Sequence, residues 1–517
     1  MDDMNSSPRT LSTATLILIG LAAFKLFLHF YVNTFTAYGF FRDELYFLAC
    51  GEHLAWGYVD QPPLVAVVAW ATRALLGDSL FAIRFFPAVA GALRLIVVGL
   101  MARELGGGRF AQVIAALTVL VSAVYLAHDS FLSMNTFEQL LWTLAAYLLV
   151  VILKRDEPRL WIPFGAVVGL GLLNKYSMFF FGAALVVALV LTPARKYFRS
   201  RWLYAGGAFA LLIALPNLAW QYQHGWPQLE LLRNADAMKN APFAVATFLF
   251  GSVLQMNPHN IPIWLAGVCF FLFMRDGKPY RALGWQFLAV VGLLILGRGK
   301  PYYLAPAYPP LLAAGALVCE RFFNARRWNW AKPALVVFLL IGGVMIAPFG
   351  LPILPVETFI RYKNALGVKE IETERHRKGP LPQFYADMHG WPEMVAEVAK
   401  VYNSLPLLER GRTAIYCNNY GEAGAIDFFG PVYSLPKAIS GHNNYWLWGP
   451  GKSKAEIVIT VGEPREDVEK SFEQVEEAGK INHPYAMPYE NGSPIYIARK
   501  PKFSSIKEIW PRTKKFI

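Results

Sequence analysis

Charged residues are scarce: Asp, Glu, Lys and Arg make up 16% of the 517 residues, against 55% for hydrophobic types. Soluble domains carry about a quarter charged residues, so a soluble globular chain is excluded over most of this length. Cysteine is nearly absent. The four, at 50, 269, 319 and 417, show no C-x-x-C or metal-ligand spacing, and two lie inside apolar runs. No disulfide framework or zinc site follows. Acidic residues are outnumbered 36 to 49, a formal charge of +13. The surplus basic residues fall between apolar runs and form no single patch, which argues against nucleic acid and fits the positive-inside rule. Internal repeats are also lacking, and with them the inverted duplication of many transporters. The first apolar run continues past Phe30 with no small-residue cleavage site, so it reads as a retained anchor.

What is present is a series of apolar runs. Leu11 to about Asn33 is long enough to cross a bilayer, which takes about 20 residues. Lys25 and His29 interrupt it; a face turned toward other helices explains both, and snorkelling is a second account of Lys25. Leu64 to Gly77 is short and lies against the membrane or re-enters it. Further spans read at about Arg84 to Met101, Ala111 to Ala127, Thr136 to Leu153, Trp161 to Leu173, Ser177 to Leu191, Leu203 to Trp220, Ile261 to Met274, Leu283 to Leu296, Tyr303 to Cys319 and Pro333 to Pro348. Phe243 to Val253 is a further short apolar stretch.

Basic clusters such as Lys154, Arg155 and Arg159, or Arg195, Lys196, Arg199 and Arg201, occupy alternate connections. Those connections are therefore expected on the cytoplasmic side of an inner (plasma) membrane. About eleven spans put the N-terminus inside and everything after about Leu354 outside. From about Pro355 the composition becomes that of a soluble domain. Thr413 to Cys417, Glu456 to Val461 and Pro494 to Arg499 read as strands, and Val468 to Ala478 as a helix. The expected architecture is a multi-span α-helical membrane domain over 1–354, with a first outer loop at 34–83, followed by a soluble α/β domain over 355–517.

Several polar groups fall on the outer side of this layout. Arg42, Asp43 and Glu44 arrive directly after the first span, and Tyr58, Asp60 and Gln61 close the same loop before Pro62 and Pro63. Ionisable groups at that depth are costly unless they have a function. Capping of a helix from about Leu45 would account for one carboxylate but not for Asp60. His128, Asp129, Asn135 and Glu138 stand after the third span, with Asn174, Lys175 and Tyr176 at another outer helix end. Glu138 sits inside an apolar helix, so it faces a cavity or a partner such as Lys175. Arg298, Lys300, Tyr302 and Tyr303 precede a late span; the tyrosines alone would suit an interfacial belt, but a belt does not require Lys300.

An acidic pair after the first span, a Tyr-x-acid-x-Pro-Pro loop, and the Lys300 to Pro306 segment reading Lys-Pro-Tyr-Tyr-Leu-x-Pro resemble the polyprenyl-phosphate-sugar glycosyltransferases of the GT-C class. Within that class the chain is similar to the bacterial protein O-mannosyltransferase and lipid A aminoarabinose transferase superfamily, over roughly residues 11–350. The resemblance implies an inverting transfer of one sugar from an undecaprenyl-phosphate-type donor to a periplasmic lipid A, glycan or protein. It makes Asp43 the base that takes the acceptor's proton, a role requiring one carboxylate within hydrogen-bond reach. The leaving phosphate is already a stable anion, so cations suffice to hold it. Lys300, Tyr302 and Tyr303 match the segment contacting that phosphate, with Arg298 nearby. Glu44, Tyr58, Asp60, Gln61, Asn135, Glu138 and Lys175 are then expected to line the cavity.

Asp60 and Gln61 depart from the glutamate and lysine of the relatives, which puts the details of phosphate recognition in doubt. Asn135 stands where relatives carry an acid, leaving Asp129 or Glu138 to supply the charge. No cofactor is assigned, and a divalent metal held by Asp60 with His224 and His259 is one arrangement the resemblance leaves open.

In the soluble domain, Asn418 to Glu422 follow a strand and would open a helix facing the cavity. His442, Asn443, Asn444 and Trp446 combine amides and aromatics suited to acceptor sugars, or form an ordinary packed loop. The rival reading of the whole chain is a transporter or flippase of a lipid-linked sugar, which would want paired repeats and polar groups open to both sides. A receptor would leave the membrane carboxylates without a task.

Overall fold

The computed structural model describes residues 12–368, 371–375, 377–451 and 455–517. Leu11, the expected start of the first span, lies outside them. Among the described residues, six helices are long and apolar enough to cross a membrane: Thr13–Phe35, Leu80–Glu104, Met134–Arg155, Arg201–Gln223, Lys278–Leu296 and Ala331–Gly350. Two bent pairs raise the number to eight, Met178–Val190 with Pro193–Arg199 at 108° and Pro301–Ala307 with Pro309–Arg326 at 59°. Both breaks carry proline, which cannot donate the helical hydrogen bond.

The expected spans at Ala111 to Ala127, Trp161 to Leu173 and Ile261 to Met274 fall short of spanning length. The first breaks at Val121 and Ser122 into Arg109–Leu120 and Ala123–His128. The other two form α-helices of 12 residues each, Trp161–Leu172 and Ile261–Leu272. The first of these runs contains a turn, and the other two are single short helices.

The 34–83 loop is itself helical. In Arg42–Glu52 the Glu44 side chain reaches back at the first turn to accept from the Phe41 N–H, and Leu64–Leu76 lies beside it. The C-terminal domain holds a five-stranded sheet in the order β2-β1-β3-β5-β4. Its strands are β1 (Thr413–Cys417), β2 (Ala438–Ile439), β3 (Ile457–Val461), β4 (Phe472–Lys480) and β5 (Pro494–Pro501). The first three run parallel, and β5 pairs antiparallel with both β3 and β4.

The expected helix at Val468 to Ala478 is corrected here. Arg465–Ser471 is helical, and the remainder is edge strand β4 with a bulge between Glu477 and Gly479. Phe472, Val475 and Ala478 recur every third residue as in a helix, but pairing with β5 overrides that local pattern, and exposed glutamates suit an edge.

One face of the sheet, including Ile415, Cys417, Ile459 and Ile495, shares a buried cluster with Leu45 to Cys50 and Val65 from the outer loop. The soluble domain therefore has a common core with the loop that carries Asp43. The Tyr420–Phe429 helix is capped by Asn419 and packs on the Arg42–Glu52 helix. Gly424 permits this contact: a Cβ there would stand 2.8 Å from the carbonyl carbon of Leu45.

Candidate active site

A cavity of about 540 Å³ opens where the membrane helices meet the soluble domain. The Arg42–Glu52 helix brings Asp43 to its wall; the Pro301–Ala307 turn brings Tyr302, and Lys300 precedes it. Asn135 and His128 come from the middle of the membrane domain, and Glu374, Asp387 and Tyr420 from the segment after it. An early acid and a late lysine, remote along the chain, thus border one space.

Asp43 is 34% exposed. Its Oδ1 accepts a 2.8 Å hydrogen bond from the Tyr420 hydroxyl, with Arg42 Nε at 3.5 Å. The Arg42 guanidinium ties the surroundings together, donating to the Tyr420 hydroxyl at 3.1 Å and to the Tyr489 hydroxyl at 2.6 Å. Tyr489 in turn donates to Asp387 Oδ1 at 3.2 Å, leaving Asp387 Oδ2 buried with no hydrogen bond. Burial pushes the Asp387 carboxyl up to about 6, with Arg42 opposing and Asp43 among the anions that add to the rise. Asp43 and Asp387 are therefore joined through Tyr420, Arg42 and Tyr489, and the two tyrosines belong to the soluble domain.

Lys300 Nζ lies 2.6 Å from Glu374 Oε1. Burial would raise the Glu374 carboxyl, but Lys239 and Lys300 outweigh it and hold the group at about 2. Lys239 also lines the cavity, so two lysines stand near Glu374 there. The Tyr302 ring meets His128 edge-on at 5.5 Å and Tyr303 at 4.6 Å. Behind them Lys175 Nζ sits 4.7 Å over the Tyr303 ring, 2.7 Å from Asn135 Oδ1 and 2.8 Å from Glu138 Oε2; Glu138 also accepts from Ser177. Of the residues expected here, Asn135 lines the cavity, whereas Glu138 and Lys175 form an ion pair supporting it.

Other expected residues lie elsewhere. Glu44 is fully buried, with Arg84 Nη2 2.8 Å from Oε2, and it also accepts from the backbone N–H groups of Leu132 and Phe41. Every oxygen is committed, so Glu44 fastens helices instead of meeting a ligand. Tyr58 is buried, its hydroxyl donating to the Cys50 carbonyl at 3.0 Å, and Gln61 is buried against Cys50. Asp60 accepts from Tyr46 at 2.9 Å, outside the cavity wall, and burial pushes its carboxyl up to about 6. Arg298 is 67% exposed, 3.7 Å from Asp236. Asp129 is enclosed by Lys25 at 2.9 Å and Arg94 at 2.6 Å, so it adds no charge to the cavity.

The metal arrangement is not assembled. His224 stacks on Trp220 at 4.0 Å, and His259 lines the cavity without Asp60. Among the described residues no group of three His, Cys, Asp or Glu side chains could hold an ion. The 442–446 stretch is packed instead of open. His442 Nδ1 accepts from the Tyr420 N–H, Asn444 Oδ1 from the Val59 N–H at 2.7 Å, Asn443 Oδ1 from the Ile517 N–H, and Trp446 Nε1 donates to the Trp510 carbonyl.

Sequence reading missed Glu374, Asp387, Tyr489 and Lys239, which are isolated polar residues in loops or a short helix. Tyr420 belongs to the Asn418 to Glu422 stretch expected to open a helix facing the cavity; the helix Tyr420–Phe429 begins there and Tyr420 lines the cavity.

Known proteins share this fold. Residues 60–220 match the family described as dolichyl-phosphate-mannose-protein mannosyltransferase. The lipid A galacturonosyltransferase RgtD of Rhizobium johnstonii is 30% identical over 226 residues, which cover 42% of this chain and 44% of that protein. The match thus spans under half the length of this relative. ArnT from Cupriavidus metallidurans superposes with a TM-score of 0.58 at 14% identity, covering 94% of this chain and 98% of ArnT. ArnT bound to undecaprenyl phosphate gives the same TM-score, 0.58. The arabinofuranosyltransferase AftD from Mycobacteria reaches 0.52 at 14% identity, over 96% of this chain and 40% of AftD. The fold is that of the GT-C glycosyltransferases.

Proposed function

We propose that this GT-C-fold protein moves one sugar from a polyprenyl-phosphate donor to a hydroxyl of an acceptor on the non-cytoplasmic side of the inner membrane, with inversion. The observation carrying this reading is the common cavity of Asp43 and Lys300. The acceptor oxygen attacks the anomeric carbon, the bond from that carbon to the phosphate oxygen breaks, and the electron pair leaves with the lipid phosphate. Asp43 takes the acceptor's proton, and its partial exposure leaves an oxygen free to approach the nucleophile. Lys300 and Lys239 balance the phosphate charge, with Lys300 exchanging part of its contact with Glu374. Tyr302 and Asn135 border the sugar. A lipid A-type glycolipid is the favoured acceptor class, since RgtD supplies the nearest sequence likeness described above; a glycan or a protein is the alternative.

The test uses proteoliposomes with a donor radiolabelled in the sugar. The wild-type protein is expected to split label from lipid phosphate, and Asp43→Asn to lower that rate by about 10² to 10⁴, the usual worth of general base catalysis. Full activity in the variant removes the assignment; movement of intact labelled donor across the bilayer would mark a transporter.

A further inference from the structure

The soluble domain holds a second cavity of about 540 Å³, on the sheet face turned away from the shared core with the outer loop. It lies at the carboxyl ends of β1 and β3. β1 leads on to β2 on one side of it and β3 leads on to β4 on the other, so connections leave the carboxyl ends of these two neighbouring strands in opposite directions. Such a reversal leaves a crevice outside the strand ends where ligands of open α/β sheets bind.

The lining has a particular chemistry. Tyr416 and Trp510 supply ring surfaces, and Trp510 is fixed because its Nε1 donates to the Trp446 carbonyl at 3.0 Å. Asn418, Glu463 and Arg512 supply planar polar groups. Thr460 is 4% exposed and borders the cavity, yet its Oγ1 has no hydrogen-bond partner. A buried hydroxyl without a partner costs about 1–3 kcal/mol, a cost that a ligand's polar group would remove. Glu463 and Arg512 make no side-chain hydrogen bond among the described residues, whereas Lys515 is engaged with Asn418 at 3.0 Å and Lys514 with Glu230 at 2.6 Å. With Asp467 paired to Lys470 at 2.6 Å, Glu463 is the acid of the lining that disfavours a polyanion, and the polar groups disfavour a purely apolar ligand.

We propose that this cavity binds a saccharide of one or two units, its C–H faces on Tyr416 and Trp510 and its hydroxyls on Thr460, Glu463 and Arg512. Rings for the apolar faces of a sugar and planar bidentate groups for adjacent hydroxyls match that class. The volume falls within the usual range of small-molecule sites, about 300–1,000 Å³. Asn418 at this cavity is two residues from Tyr420, whose hydroxyl bonds Asp43. The two sites are therefore neighbours along β1 and its following turn, and the second holds a sugar of the acceptor away from its reacting end. That role, though not the binding itself, rests on the glycosyltransferase reading above.

Saturation-transfer NMR on the full-length protein in nanodiscs tests the binding, with mannose, galacturonic acid and glucosamine as separate probes. At least one is expected to give a signal that Glu463→Gln and Thr460→Val each weaken about tenfold in Kd, the worth of one hydrogen bond to a buried group. Lys300→Ala leaves it unchanged. Thr460→Val keeps shape and removes only an unpartnered hydroxyl, so it tests the site even if another variant folds poorly. Absence of signal from all three probes overturns the proposal, as does a signal that both cavity variants leave intact or that Lys300→Ala removes. Binding that persists in a protein without transfer activity would overturn the glycosyltransferase reading and leave this site standing.

Discussion

The cavity wall and the packed interior behind it hold the same residue types under opposite conditions. In the interior, Glu44 meets Arg84, and Asp129 meets Lys25 and Arg94, with every side chain no more than 1% exposed. At the wall, Asp43 keeps 34% exposure and one strong donor, and Asp387 keeps an oxygen with none. Asp43 and Glu44 are adjacent in sequence and fall on opposite sides of this division. Charge in this protein is thus of two kinds: carboxylates shut in against buried cations fasten helices, and a carboxylate left open to the cavity, such as Asp43, is available for chemistry. The interior pairs demand close approach, since a Cβ at Gly91 would lie 2.1 Å from Asp129 Oδ2.

Removing charge from the interior should give the larger stability effect. Glu44→Gln leaves Arg84 buried without a counterion, at a cost of about 3–5 kcal/mol. It is expected to lower the thermal midpoint in detergent sharply, whereas Asp43→Asn leaves it nearly unchanged. Equal midpoints for the two variants would erase the division.

Tyr420→Phe tests the wall. It deletes the donor to Asp43, a hydrogen bond to a charged group worth about 1.5–3 kcal/mol, so kcat should fall roughly tenfold to a hundredfold with KM for the donor little changed. An unchanged kcat would mean that Tyr420 packs beside Asp43 without acting on it.

Asp387→Asn should have the smallest effect, and one that depends on pH. Its carboxyl is held at about 6 in the folded protein, above the ordinary value of about 4. Its contribution is therefore intact below about pH 4 and is lost as pH rises through 6. The asparagine variant should gain on the wild type in thermal midpoint between pH 4 and pH 7, by about a few degrees. A constant difference across that window would assign the effect to lost contacts instead of burial of charge.

The legible part of this fold is the part with a local cause. Apolar length marked the helices, and Thr413 to Cys417 emerged as β1 with the same bounds. Asp43 and Lys300 stood out because charge is expensive beside a membrane. What stayed hidden depends on partners distant in sequence. Nothing near Glu44 announces Arg84, 40 residues on, and nothing near Asp387 announces Tyr489. Periodicity also misled where tertiary pairing prevailed, as in β4, and where a run of apolar residues concealed a turn, as at Val121 and Ser122.

The contact at Gly424 ties the position of the extramembrane domain to that of the first turn carrying Asp43. A methyl group added there would lever Tyr420 off Asp43 without touching sugar, lipid or phosphate. In a survey of inactivating substitutions, this glycine would be grouped with the reacting residues, although its part is that of a spacer holding two bodies in register.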